Sequence, residues 1–202
     1  MVVIGLTGGI GSGKSTVSQF LSQLGAAVLN LDEMGHEILK PYTEAWQEIV
    51  TTFGRGILKP DDEIDRNKLG ELVFNDPQVR EWLNQVMHRR IYDRAKERIE
   101  QCQSQGAEVV VLEGAVLLEA RLKAGWTPLT DEIWVTVAPE ATLIERVCNR
   151  TGLTPAQAQA RIRSQLPSEE RLKHADIVID TDCNLTEVKA KVGELWRKLI
   201  AH

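Results

Sequence analysis

Residues 8 to 15 read Gly-Gly-Ile-Gly-Ser-Gly-Lys-Ser, which fits G-x-x-x-x-G-K-[ST], and they stand between a β-branched run and an amphipathic one. Val2-Val3-Ile4-Gly5-Leu6 predicts a buried strand. From Lys14 to Leu24, Val17, Phe20, Leu21 and Leu24 recur at spacings of three and four, with Gly25 where a helix would stop. Strand, glycine-rich loop and helix in this order make a P-loop. Glycines let the chain aim successive backbone N–H groups inward, and the helix adds unsatisfied N–H groups and the positive end of its dipole. Such a concavity holds phosphate. Lys14 would place its ammonium on the β- and γ-phosphates of a nucleotide, and the Ser15 hydroxyl would ligate Mg²⁺. A dinucleotide fingerprint starting at Gly11 would need glycine at position 16, where Thr16 stands.

The rest of the chain supplies strands that can extend this unit into a sheet. Ala27 to Leu31 reads as a second strand that delivers Asp32 at its carboxyl end, where open α/β sheets place their ligands. Glu108 to Leu112, Ile133 to Val137 and Asp176 to Asp180 read as three more, the first ending at Glu113-Gly114. Helical patterns follow the last two, over 139–149 and 185–200. Between strands two and three, Glu33 to about Gly106 is helical almost throughout, broken by Pro41, Gly54, Gly56, Pro60 and the Asp76-Pro77 cap. A second helical insert runs from Thr154 to His174 and carries Arg161, Arg163, Arg171 and Lys173. The expectation is an α/β fold, a five-stranded parallel sheet flanked by helices, with a core of 1–32, 107–150 and 175–202, a helical lobe at about 33–106 and a helical lid at about 151–174.

Charge and cysteine usage narrow the partners. A formal net charge of -5 gives no basic footprint for nucleic acid. Cys102, Cys148 and Cys183 are odd in number and lack C-x-x-C spacing, which suggests free thiols in a reducing compartment. The opening MVVIGLTGG has no basic n-region, and its apolar run is too short for a signal peptide or a membrane span. The expected setting is cytoplasmic, with small-molecule partners, no nucleic acid and no membrane.

A P-loop alone does not separate kinases from other nucleotide hydrolases. Asp32-Glu33-Met34-Gly35 matches the GTPase pattern D-x-x-G, but it comes only 18 residues after Lys14, and Asn67-Lys68-Leu69-Gly70 lacks the final Asp of a guanine-reading stretch. Phosphoryl transfer to an alcohol needs a carboxylate near the acceptor hydroxyl, cations on the spreading charge and a lid that excludes water. Asp32 is the candidate base, with a helix N-cap as its other reading. Arg146, Arg150 and Arg161 are candidate lid cations, each alternatively part of a solvated helix face. Glu113 ends an apolar strand where a Walker B carboxylate reaches Mg²⁺, and ordinary strand termination is the other reading. His36, His88 and His174 have no metal-ligand spacing.

Taken together, GLTGGIGSGKST, the strand ending at Asp32, GHEILKP, FGRGIL, IDRNKLGELVF, the helix around His88 and AQARIRSQ resemble the dephospho-coenzyme A kinase family from Val2 to about Asp180. The resemblance implies a P-loop kinase fold with a helical CoA-binding lobe and a lid. It also implies ATP-dependent phosphorylation of the ribose 3′-hydroxyl of dephospho-CoA, the final step of coenzyme A synthesis. Gly9, Gly11, Ser12, Gly13, Lys14, Ser15 and Thr16 would then bind ATP, together with Arg150. Lys14, Asp32 and Arg146 would be catalytic, Asp32, Arg66, His88 and Arg161 would meet the acceptor, and Ser15 and Glu113 would hold Mg²⁺. The chain departs from the usual bacterial pattern at Asn30-Leu31, at Arg89 after His88, across Glu113 to Glu119, and at Thr181-Asp182 near the adenine loop. Alternatives from the residues alone are a kinase of another small hydroxylated acceptor and a nucleotide-binding regulator without turnover.

Overall fold

The computed structural model describes residues 1–115, 117–118 and 129–201. Its centre is a five-stranded parallel sheet in the order β2-β3-β1-β4-β5, formed by β1 (Val2–Gly8), β2 (Ala27–Asn30), β3 (Val109–Glu113), β4 (Glu132–Val137) and β5 (Ile177–Asp180). The three inner strands β3, β1 and β4 are covered on both faces, which accounts for their nearly unbroken apolar runs, whereas the edge strand β5 leaves Val178 exposed. In β3 every residue from Val109 to Glu113 is buried, the last being a carboxylate. The central strand β1 pairs with β3 through Leu6↔Glu113 and with β4 through Thr7↔Val135. From β1 the chain crosses toward β2, and from β3 it crosses to β4 on the other side. The carboxyl ends of β1 and β3 therefore form the point at which an open sheet divides to receive a ligand.

Two compact units divide the chain, Met1–Asn30 with Ile99–His202, and Leu31–Arg98. The first contains the sheet, α1 (Lys14–Gln23) and, further along the chain, α6 (Glu140–Thr151), α7 (Pro155–Arg163), α8 (Ser168–Leu172) and α9 (Leu185–Ile200). Its core joins Ile4, Leu6, Val109, Val111, Trp134 and Ile179 of the strands to Val17 and Leu21 of α1 and Val188 and Val192 of α9. Those helical residues lie four apart in each case, one turn of a single face. Helix α7 opens on a capping box in which the Thr154 hydroxyl accepts from the Gln157 N–H and the Gln157 side chain accepts from the Thr154 N–H.

The second unit is helical, with α2 (Leu31–Glu37), α3 (Glu44–Phe53), a 3₁₀ turn (Arg55–Ile57), α4 (Arg66–Asn75) and most of α5 (Pro77–Ser104). Its own core holds Trp46, Ile49, Ile57, Ile64 and Leu69. As its sequence predicts, Asp76 caps α5 by accepting from the Gln78 N–H at 2.8 Å, with Pro77 first in the helix. The Asp62 carboxylate accepts from the Tyr42 hydroxyl at 2.7 Å and pairs with Arg55, and this acceptor raises the Tyr42 phenol above its ordinary pKa.

One boundary differs from the sequence expectation. β2 ends at Asn30, and Leu31 already starts α2, so Asp32 is the second residue of a helix and not the last of a strand. The burial of Leu31, Met34 and Gly35 has the three-and-four spacing of a helix face, which overrides the short β-rich run before it.

Ile4 is 0% exposed at the middle of the central strand. Ile4→Ala is expected to lower unfolding stability by about 2–5 kcal/mol through lost burial and the cavity left behind, read from the midpoint of urea denaturation.

Candidate nucleotide-binding site

The loop between β1 and α1 changes direction through left-handed glycines. Gly11 has φ 79° and Gly13 φ 86°, the latter serving as N-cap of α1 in a conformation that side chains rarely adopt. Space excludes side chains as well: a Cβ on Gly8 would stand 2.3 Å from Thr136 Oγ1, and one on Gly13 would stand 3.1 Å from Thr181 Oγ1.

Side chains donate to the carbonyls of Gly8, Gly9, Gly11 and Ser12 in the loop. Lys14 Nζ donates to Gly8 O at 2.8 Å and Gly9 O at 3.1 Å. Arg146, which projects from α6, donates through Nη1 to Gly11 O at 3.3 Å and to Thr181 Oγ1 at 3.1 Å, and through Nη2 to Thr181 O at 2.8 Å. The Thr181 hydroxyl lies within donating distance of Ser12 O (2.9 Å) and Val137 O (3.1 Å). Ser12 and Thr136 share a hydroxyl–hydroxyl bond of 2.7 Å. With these oxygens occupied, the polarity the loop retains is that of its N–H groups and the α1 terminus, which suits an anion.

Beside the loop stands the carboxylate that ends β3. Glu113 is 7% exposed, and its two oxygens accept from Ser15 at 3.0 Å and from Ser18 at 2.7 Å. The two serines lie three apart on α1 and so share the face turned to β3. Ser15 Oγ and Glu113 Oε1 are the oxygens that could hold a magnesium ion. Adjacent ligands of an octahedral ion with bonds of about 2.1 Å stand about 3 Å apart, and Mg²⁺ takes few protein oxygens and fills its sphere with phosphate and water. The spacing and the hard oxygen donors fit that ion. Among the described residues no group of three or more His, Cys, Asp or Glu forms a metal cluster.

The candidates named from sequence fall into two groups. Gly9, Gly11, Ser12, Gly13, Lys14, Ser15, Thr16, Glu113 and Arg146 meet at the loop in the first unit, while Arg150 and Arg161 are exposed in the last turns of α6 and α7. In the second unit, Asp32 is exposed in the first turn of α2, Arg66 is the exposed first residue of α4, and His88 is half-buried along α5. Of the departing segment 113–119, Val116 and Glu119 lie outside the described residues.

Three contributors were missed in the sequence. Thr181 stands out there only as a departure from a pattern, yet it braces the loop. Arg171 appears among the cations of the second insert, but its side chain is 2% exposed, and Nη1 lies 3.5 Å from where a Cβ on Gly9 would be. Gln165 accepts a hydrogen bond from the Ile10 N–H at 2.8 Å. Its only mark in the sequence is its place at the end of AQARIRSQ, beside Arg161 and Arg163.

A sequence model of the dephospho-CoA kinases matches residues 2–187. A dephospho-CoA kinase of Geobacter sulfurreducens is 40% identical over 198 residues, 98% of each chain. The chain belongs to the dephospho-CoA kinase family. It is accordingly a kinase, a phosphotransferase, and the relatives reach across its whole length. A dephospho-CoA kinase of Carboxydothermus hydrogenoformans is 39% identical and covers 97% of this chain and 93% of its own. Among solved structures, a dephospho-CoA kinase from Campylobacter jejuni has the same fold, with a TM-score of 0.70 at 24% identity over 98% of this chain and 96% of its own. A shikimate kinase from Acinetobacter baumannii shares the fold at a TM-score of 0.57 and 14% identity, over 100% and 94% of the two chains. Among the described residues no helix is long and apolar enough to cross a membrane.

Thr181→Val keeps the shape and removes the hydroxyl that joins Ser12, Val137 and Arg146. It is expected to cost about 1–3 kcal/mol of stability in chemical denaturation, because buried polar groups lose their partner, and to raise KM for ATP more than it lowers kcat.

Proposed function

We propose that this protein transfers the γ-phosphoryl group of ATP to the ribose 3′-hydroxyl of dephospho-CoA, giving coenzyme A and ADP as the last step of coenzyme A synthesis. The observation that carries the phosphate-handling half is the 3.0 Å approach of Ser15 and Glu113 beside a loop whose carbonyls are already bonded. Membership of the family supports the acceptor.

In this reading Gly9, Gly11, Ser12, Gly13, Ser15 and Thr16 cradle the phosphates through backbone and hydroxyl donors, and Lys14 turns its ammonium from the Gly8 and Gly9 carbonyls toward the β- and γ-phosphates. Ser15 and Glu113 would hold Mg²⁺, which would supply charge stabilisation to the phosphate oxygens. Asp32 orients the 3′-hydroxyl and accepts its proton. The acceptor oxygen then bonds to the γ-phosphorus in line with the departing β–γ bridging oxygen, which leaves with its electron pair as part of ADP. Arg146 holds the loop and stands with its charge beside the phosphates. Arg150 adds a contact to ATP, and Arg161 to the acceptor, as the 151–174 lid excludes water. Arg66 and His88 in the 33–106 lobe bind the acceptor. The setting is cytoplasmic, with no nucleic acid or membrane partner.

The experiment is ADP release by the purified protein with ATP·Mg²⁺, with and without dephospho-CoA, with the product mass read in the same tubes. Acceptor-dependent ADP with a mass gain of one phosphate is the expected result. ATP binding without turnover selects a regulatory nucleotide binder, and turnover with another alcohol alone changes the acceptor. Asp32→Asn is expected to lower kcat by about 10²-fold or more while ATP affinity is retained, and near-full turnover of this variant removes Asp32 as base.

A further inference from the structure

The two oxygens of Glu113 are held by hydroxyls in different surroundings. Ser15 donates to Oε1 at 3.0 Å and Ser18 to Oε2 at 2.7 Å. Ser15 is exposed, whereas Ser18 is 5% exposed and shares the buried face of α1 with Val17 and Leu21. A hydroxyl in such a place needs a partner. Ser18 has one proton and two oxygens within reach, Glu113 Oε2 and, at 3.2 Å, Ser15 O. The shorter contact is to the charged acceptor, and charge-assisted bonds are about twice as strong as neutral ones, so the proton goes to the carboxylate.

Glu113 in this arrangement offers a cation one oxygen, Oε1. For Mg²⁺ this is no loss. Adjacent corners of its octahedron lie about 3 Å apart, and the two oxygens of a single carboxylate are closer together than that, so Mg²⁺ takes one oxygen from each carboxylate. Ca²⁺ is larger, gathers about six to eight oxygens at longer distances and accepts both oxygens of one carboxylate. To give Ca²⁺ the second oxygen, Ser18 would have to fall back on the longer contact to Ser15 O, a neutral acceptor.

We propose that Ser18 is a specificity-determining residue for the cation: by holding Glu113 Oε2 it restricts the carboxylate to a one-oxygen ligand and so favours Mg²⁺ over Ca²⁺ in the ATP complex. The proposal rests on the reading of Ser15 and Glu113 as the cation site and deepens it. Ser18 acts through Glu113 and is a positioning residue.

Two substitutions separate this role from packing. Ser18→Ala frees Oε2, and Ser18→Thr keeps the hydroxyl. Affinity for ATP is read by titration calorimetry without acceptor, once in saturating MgCl₂ and once in saturating CaCl₂. The ratio of the Kd with Ca²⁺ to the Kd with Mg²⁺ is expected to fall about tenfold in Ser18→Ala, the lower end of what a hydrogen bond to a charged group is worth. In Ser18→Thr it is expected to stay at the wild-type value. A loss of packing weakens both complexes alike and leaves the ratio unchanged. Ser18→Cys, similar in size with a weak donor, replaces the alanine variant if that variant does not fold. Carboxylate infrared bands give a second reading, because the antisymmetric and symmetric stretches draw together when both oxygens chelate. That narrowing on loading with Ca²⁺ and ATP is expected in Ser18→Ala and not in the wild type. Where Glu113→Gln weakens the Mg²⁺ complex, an unchanged ratio in Ser18→Ala overturns the role of Ser18 alone, as does a ratio in Ser18→Thr as low as that of the alanine variant. If Glu113→Gln leaves both Kd values at the wild-type level, Glu113 is not a cation ligand, and the reading of the cation site falls together with the proposal.

Discussion

The site rests on the bonding of the Gly8, Gly9, Gly11 and Ser12 carbonyls. Glycine-rich loops are entropically expensive to hold in one shape, and nothing in their own side chains fixes them. Here Lys14 takes the oxygens of Gly8 and Gly9, Arg146 that of Gly11, and Thr181 that of Ser12. The donors come from α1, α6 and the end of β5, so the loop is held from three sides. Arg146 and Thr181 hold Gly11 and Ser12 independently of Lys14. This bonding also explains how a chain of net charge -5 can hold a polyanion: the attraction comes from oriented backbone donors at short range and not from the summed charge.

Much of this arrangement was legible in the sequence because it is local. G-x-x-x-x-G-K-[ST] between a β-branched run and a three-and-four apolar pattern specifies loop, lysine and serine within one supersecondary unit. Glu113 was legible too as a position, because it follows directly on the apolar run that forms β3. The register Leu6↔Glu113 sets the carboxylate at the end of the neighbouring strand that leads into the loop.

What was not legible depends on contacts made far along the chain. The Ala27-Val28-Leu29-Asn30-Leu31 run looks like a five-residue strand until Leu31 is seen to share a buried face with Met34 and Gly35, and then Asp32 belongs to a helix. Arg146 reads as a cation free to approach a ligand, since nothing near it in sequence reveals that Gly11 and Thr181 already hold its guanidinium. Gln165 and Arg171 sit in a polar stretch without apolar periodicity, and only the return of α8 to the sheet brings them to Gly9. In each case local pattern competes with tertiary contact, and contact decides.

The pairing of Glu113 shows how a buried carboxylate can be kept ready without being fixed. A charge in so dry a place needs hydrogen bonds to be tolerated, and two serine hydroxyls provide them. They are not equivalent. Ser18 is buried and also lies 3.2 Å from Ser15 O, so its bond to Oε2 is part of the helix packing. Ser15 is exposed at the start of α1, and its bond to Oε1 can open without disturbing any core residue. One oxygen of the carboxylate is anchored and the other is held by a group that can itself become a ligand. A cation bound by Ser15 and Glu113 would replace only the Ser15 contact, while Ser18 holds the other carboxylate oxygen.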